Sequence, residues 1–253
     1  MYQLKDKVVF ISGGLGDIGQ AIAHAFSSCG SNVVVGDLED VLNEKFSKTF
    51  NGDSFTPCPV NIMSDESIME AVNDIESRFG QIDVLVNSAG ILCRKSFFDT
   101  SKKDFQKSLD VNVTGMFLLS QYFSQLMIKK SFGKIINIGS INGTLAIENR
   151  LVYGATKAAV NLLTQGMALE LAEHNINVNC VAPGVVDSKM ARVRLNTTEK
   201  RSNFAKYIPQ NRLTLPTDVA NCVLFLASPL ASNITGETIL VDGGLSVRQA
   251  LPR

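Results

Sequence analysis

Tyr153 and Lys157 stand four residues apart in YGATK, a spacing that puts two side chains on one face of a helix. An isolated tyrosine holds its proton to about pH 10 and is a poor base near neutrality. A lysine ammonium beside such a residue favours the phenolate. A phenolate of that kind can take the proton of a substrate hydroxyl or, in reverse, protonate a developing alkoxide. Ser140, thirteen residues before Tyr153, ends the run KIINIGS. Its hydroxyl can hydrogen-bond a substrate oxygen and hold it beside the tyrosine. Alone, a Tyr and a Lys at this spacing are most often a surface pair, so the reading depends on what else the chain carries.

What it carries is SGGLGDIG at 12–19, between an apolar run and a helical pattern. Gly14, Gly16 and Gly19 satisfy G-x-G-x-x-G in the strand–turn–helix context that gives this motif meaning. Glycines allow a tight turn and let backbone N–H groups reach a pyrophosphate, whose charge the helix N-terminus favours. The run NVVVGD ends in Asp37, eighteen residues beyond Gly19. A carboxylate there accepts from ribose hydroxyls and repels a 2′-phosphate. With no Arg or Lys in the glycine loop or beside Asp37, the cofactor expected is NAD(H) rather than NADP(H).

Taken in order, these motifs resemble the compact single-domain branch of the short-chain dehydrogenase/reductase family, over about residues 5–247. SGGLGDIG is similar to that family's T-G-x-x-x-G-x-G loop, and NSAG at 87–90 to its N-N-A-G. Asn112 in DVNVTG, Ser140, Tyr153 and Lys157 match its catalytic set. Pro183 and Gly184, followed by Val186 and Ser188, resemble its nicotinamide-amide segment, and TGETILVDGGLS its tail. The resemblance implies that Asn112 positions a water linking Lys157 to solvent, and that Lys157 also holds the nicotinamide ribose. It implies a cofactor surface of Gly13, Gly14, Gly16, Asp17, Ile18, Gly19, Asp37, Leu38, Asn61, Ile62, Asn87, Ala89, Gly90, Tyr153, Lys157, Pro183, Gly184, Val186 and Ser188.

The chain departs from the pattern in places. Asp17 stands where the family has a glycine; a carboxylate near a pyrophosphate costs binding free energy unless it turns to cap a helix. On that basis Asp17→Gly is expected to tighten cofactor binding. Asn61 replaces a frequent aspartate facing the adenine amine, and its side-chain carbonyl can still accept that hydrogen bond. Ser12, Ser88 and Ser188 are milder polar replacements.

These residues need a scaffold that brings them together. Apolar runs at 7–12, 32–37, 54–60, 82–87, 134–140, 176–182 and 237–242 read as strands. Most are continuous rather than alternating, as strands covered on both faces are. Helical patterns lie at 18–28, 64–79, 104–130, 152–173 and 217–227. The alternation predicts an α/β, doubly wound Rossmann fold with a seven-stranded parallel sheet flanked by helices, as one domain over 1–253. The polar stretch 187–211 follows a strand, where ligands bind in open sheets, and reads as a substrate lid. Cys93 and Arg94 are weaker candidates near the active-site mouth, Arg150 for contact with an anionic or polyhydroxylated substrate, and Arg192 and Arg194 for closing the lid over a charged group; Phe97 and Phe98 read as packing residues.

Composition narrows the rest. The chain has 253 residues, with 24 Lys plus Arg against 24 Asp plus Glu and no block of like charge. That balance argues against nucleic acid or an anionic membrane as partner. Five scattered cysteines and two histidines predict neither disulfides nor a metal site. No run has the apolar length of a signal peptide or membrane helix, so a cytoplasmic protein is expected. The apolar faces at 104–130 and 152–173 suggest a homo-oligomer, which the resemblance makes a tetramer or dimer.

The function expected is NAD(H)-dependent interconversion of a secondary alcohol and a ketone on a small molecule, with a sugar or polyol favoured. Reduction of an acyl-carrier ketone is the alternative. A non-catalytic dinucleotide-binding regulator is disfavoured because Tyr153, Lys157 and Ser140 are all present. An epimerase or dehydratase is disfavoured because the chain ends eleven residues after Asp242.

Overall fold

The computed structural model describes residues 2–52 and 54–248. Seven strands form one sheet: β1 Val8–Ser12, β2 Asn32–Asp37, β3 Phe55–Pro59, β4 Val84–Asn87, β5 Gly133–Ile138, β6 Ile176–Pro183 and β7 Thr238–Val241. Their order is β3-β2-β1-β4-β5-β6-β7, and every neighbouring pair is parallel. The chain winds outward from β1 to β3, then returns to add β4 on the other side of β1. The strand order therefore reverses at the carboxyl ends of β1 and β4, where open α/β sheets hold their ligands.

The strand period explains the two-sided core. In β1, Val9 and Ile11 point into one apolar cluster and Val8 and Phe10 into the other, as alternation along a strand requires. The first cluster is closed by α1 Asp17–Ser28 and α9 Pro216–Ala227, through Ile22, Phe26, Val219 and Val223. The second is closed by α3 Asp65–Phe79, α5 Gly115–Lys129 and α6 Leu151–Leu171, through Ile68, Phe123 and Ala168. Helix ends follow local chemistry. Ser64 caps α3 by accepting from the Ser67 N–H, and Gly80 ends it at φ 66°, a conformation glycine adopts at little cost. Pro216 opens α9, where Asp218 accepts from the Leu215 N–H.

Three features differ from the periodicity reading. Helix α2, Glu39–Thr49, was not expected, since it buries fully only Leu42 among the residues it places on the sheet. The span 104–130 is interrupted: α4 Lys102–Leu109 and α5 are joined by a π-helical turn at Asp110–Thr114. The stretch 187–211 contains α7 Lys189–Arg192 and α8 Thr198–Ala205, capped by Ser188 and Thr197. It rests on its own small cluster of Leu195, Ile208 and Leu213.

Phe97 and Phe98 do not pack as expected. They are 70% and 93% exposed and touch edge-on at 5.3 Å. The Ser96 hydroxyl, which accepts from the Asp99 N–H, holds a turn that aims both rings outward. Among the described residues no helix is long and apolar enough to cross a membrane.

All five cysteines are free thiols. Burial pushes the Cys58 thiol up to about 12, and the Cys180 and Cys222 thiols up to about 11. Since the thiolate is the reactive species, iodoacetamide at pH 7.5 is expected to spare these three in the folded protein and to label them in urea. Peptide mass spectrometry checks this; rapid native labelling of Cys180 would contradict it.

Candidate active site

The glycine loop joins β1 to α1 and closes against its surroundings. Gly13 has φ +64°, and a Cβ on it would lie 2.7 Å from the Ala89 Cα. A Cβ on residue 19 would run into the Gly13 carbonyl oxygen. Both positions therefore need glycine, one for its conformation and its neighbour, the other for the close approach of α1 to the loop. Beyond the loop lies a cleft of about 620 Å³. Gly13, Gly16, Asp17, Ile18, Gly19, Asp37, Leu38, Asn61, Ile62, Ala89, Gly90 and Ser188 all line it.

Asp37 sits at the end of β2, half exposed. Its carboxylate accepts from the Leu15 N–H at 3.1 Å and the Leu38 N–H at 3.0 Å, tying the strand end to the glycine loop. Asn61 uses its side-chain oxygen within its own turn, accepting from the Met63 N–H at 3.1 Å. Lys45 also lines the cleft. The loop and the neighbours of Asp37 carry no cation in sequence, but α2 brings this one back to the site.

A second cavity opens beside the first, lined by Ser140, Tyr153, Lys157, Pro183, Gly184, Val186 and Ser188. Ile18, Gly90, Ser188 and Met190 face both, so the two spaces are continuous. Tyr153 and Lys157 come from successive turns of α6, with the ammonium 5.8 Å from the tyrosine ring centre. Lys157 is buried and donates to the Ile138 carbonyl at 2.7 Å. That uses one of its three N–H donors and leaves two for ligand atoms or water. Ser140 follows β5; its hydroxyl oxygen accepts from the Asn142 N–H at 3.2 Å, and its hydrogen has no partner among the described residues.

Asn112 lies behind this wall, in the π-helical turn. Its side-chain oxygen accepts from the Ile91 N–H at 2.8 Å. Its amide donates to the Ile91 carbonyl at 2.9 Å and to the Thr156 hydroxyl at 3.1 Å. A Cβ on Gly90 would lie 3.2 Å from the Asn112 oxygen and 3.7 Å from the Lys157 nitrogen, so Asn112 and Lys157 are neighbours beneath Gly90. The π turn inserts one residue into the helix and leaves a carbonyl without its usual donor, a disruption common at functional sites.

Two expected cofactor residues do not reach the cleft. Asn87 turns into the core, where its amide donates to the Ser120 hydroxyl at 2.9 Å and the Asn137 oxygen at 2.8 Å. Burial at the sheet centre makes it a cross-strand tie between β4 and β5. Gly14 backs onto β2, where a Cβ would lie 2.7 Å from a Val35 methyl.

Asp17 is oriented by a partner that no local pattern revealed. Its carboxylate accepts from the Lys189 N–H at the start of α7, joining the glycine loop to the 187–211 segment. Replacing it by glycine would remove both its charge and this tie. Asp17→Asn separates the two, because the amide oxygen still accepts. Asn is expected to tighten NADH binding several-fold at low salt, as a carboxylate near the pyrophosphate opposes it. Fluorescence titration of NADH checks this; equal or weaker affinity sinks the charge argument.

Comparison with known proteins agrees with this geometry. The family described as Enoyl-(Acyl carrier protein) reductase matches residues 15–246. The chain is 38% identical to a 3-oxoacyl-acyl-carrier-protein reductase of Aquifex aeolicus, covering 96% of this chain and 98% of that one. It is 33% identical to an NAD-dependent glycerol dehydrogenase of Listeria innocua, covering 98% and 96%. Among solved structures, a gluconate 5-dehydrogenase from Burkholderia cenocepacia, in complex with NADP and tartrate, superposes with TM-score 0.90 at 29% identity, covering 98% of each chain. Near-complete coverage on both sides, a parallel sheet that reverses order at its dinucleotide-sized cleft, and Tyr153 and Lys157 facing that cleft's extension lead to one assignment: the chain belongs to the short-chain dehydrogenase/reductase family.

Proposed function

We propose that the chain interconverts a secondary alcohol and a ketone on a sugar- or polyol-like small molecule, with NAD(H) as the redox partner. The observation that carries this reading is the shared cavity of Tyr153, Ser140 and Lys157, continuous with the cleft beyond the glycine loop. The cleft fits a dinucleotide. Its neck is shaped by Gly13 and Gly19, where a Cβ would collide, and its far wall carries Asp37 for the ribose hydroxyls.

In oxidation, Ser140 donates to the substrate oxygen and holds it against Tyr153, whose phenolate takes the hydroxyl proton. A bound NAD+ would supply the acceptor for the hydride on the hydroxyl-bearing carbon, so that the alcohol would lose two electrons and become a ketone. Lys157, anchored on the Ile138 carbonyl, holds the nicotinamide ribose with one remaining donor. Through Asn112, it also connects the tyrosine's proton to solvent. Ser188 and Met190, facing both spaces, make the 187–211 segment the lid that excludes water. The whole of 1–253 acts as one unit in this scheme.

Several features support particular parts of the reading. Asp37 favours NAD(H), as the glycerol dehydrogenase relative does by its cofactor. Lys45 in the cleft and the 38% identical relative favour the alternative, an NADP(H)-linked 3-oxoacyl-carrier reductase. For assembly, Leu162 and Leu169 are 70% and 82% exposed and one heptad apart on α6, which supports pairing of this helix between copies in a homo-oligomer. A panel of secondary alcohols, assayed with NAD+ and NADP+ by nicotinamide absorbance, tests the reading. Turnover of polyols or sugar derivatives with NAD+ is expected. Activity confined to reduction of acyl-carrier ketones with NADPH would replace it by the alternative.

A further inference from the structure

A guanidinium drawn partly out of water ordinarily meets a carboxylate or carbonyls, because its lost hydration must be replaced. Most described arginines do so here. Arg78, Arg192 and Arg212 pair with Asp74, Asp187 and Asp218. Arg201 and Arg248 donate to the carbonyls of Leu195 and Lys206. Arg94, Arg150 and Arg194 are the described arginines whose side chains have no such partner, and the first two line one cavity.

Arg94 and Arg150 are half-buried and line the cavity that holds Tyr153 and Ser140. Arg94 comes from the loop after β4, and Arg150 is the residue at which α6 begins. Arg194 lies just past α7 in the lid segment, exposed. Burial first, then the charges of Arg94 and Arg194, hold the Arg150 guanidinium below the ordinary arginine value, while Tyr153 acts in the opposite sense. The carboxylate nearest to Arg150 along the chain, Glu148, is exposed and forms no ion pair with it. Two guanidinium groups thus face the reacting group, in a cavity that no described Asp or Glu lines.

We propose that Arg94 and Arg150 receive an oxyanion carried by the substrate, so that the molecule oxidised or reduced is a hydroxy or keto compound bearing a carboxylate or a phosphate. This rests on the oxidoreductase reading above and narrows it. A planar guanidinium offers paired donors that match either oxyanion. An anion placed here also relieves the mutual repulsion of the two side chains. A neutral polyol does neither and leaves the guanidinium groups uncompensated.

Calorimetric titration of the protein saturated with NADH tests this without any turnover, since an alcohol cannot be oxidised in that complex. Three probes separate the chemistries: tartrate carries carboxylates, glycerol 3-phosphate a phosphate, and erythritol no charge. Tartrate or glycerol 3-phosphate is expected to bind at least tenfold more tightly than erythritol, with the preferred one naming the anion. Arg150→Gln and Arg94→Gln are expected to weaken that probe about 10- to 100-fold, to leave erythritol unchanged and to preserve the melting temperature. Equal binding of all three probes, or equal weakening of all three by Arg150→Gln, overturns the proposal. Arginine-dependent anion binding in a protein that oxidises none of the alcohol panel would keep the anion pocket and discard the oxidoreductase reading instead.

Discussion

Tyr153→Phe is expected to lower kcat by about a thousandfold while NADH affinity changes by less than about threefold. The substitution removes one oxygen atom from a side chain whose hydroxyl faces the cavity and has no hydrogen-bond partner among the described residues. Little folding energy depends on that oxygen, since the ring and its place on α6 are kept. General acid–base catalysis by a positioned group contributes roughly 10²- to 10⁴-fold, and a thousandfold corresponds to about 4 kcal/mol of barrier. Lys157 remains on the Ile138 carbonyl, so dinucleotide binding persists. Single-turnover kinetics and NADH fluorescence titration on the same preparation separate the two effects. Retention of more than a tenth of kcat would remove Tyr153 from the proton transfer, and loss of NADH binding would make it a cofactor residue instead.

Asp37→Asn is expected to shift the ratio of NAD+ to NADP+ efficiency by about a hundredfold toward NADP+. The carboxylate now has two jobs. It accepts from the Leu15 and Leu38 N–H groups, and it faces the cleft beside Leu38 and Lys45. The amide oxygen of asparagine can still accept from the backbone, so the loop keeps its shape. What is lost is the charge: hydrogen bonds to a charged group contribute about 1.5–3 kcal/mol, against about 1 for a neutral one. Repulsion of a 2′-phosphate goes with it, while Lys45, Lys107 and Lys189 still line the cleft. The check is kcat/KM for both nucleotides with one alcohol at fixed ionic strength. An unchanged ratio would mean that Asp37 acts only as a backbone tie.

The fold is largely legible in the sequence. Every strand falls within or overlaps its expected run; for the inner strands this is because a strand buried on both faces has to be apolar at successive positions, as in the wholly buried β1. The glycine loop was legible for an equally local reason, since Gly13 needs a positive φ and residue 19 has no space for a Cβ. Tyr153 and Lys157 were legible because helical spacing alone puts them on one face. Helix α2 was not, having too few apolar residues to show a stripe, and with it Lys45 was missed.

Residue types and short spacings thus determined the strand order's raw material, the dinucleotide loop and the Tyr–Lys pair, since each follows from steric and periodic rules acting over a few residues. Partnerships across the sheet were decided only by the tertiary structure. It turned Asn87 away from the cleft and toward Asn137, fifty residues on, and joined Asp17 to Lys189, 172 residues on. It also gathered Arg94 and Arg150 from a strand-end loop and a helix start. No local pattern encodes such meetings, because electrostatic and hydrogen-bond partners depend on distance in space, and the order in which strands stack sets that distance.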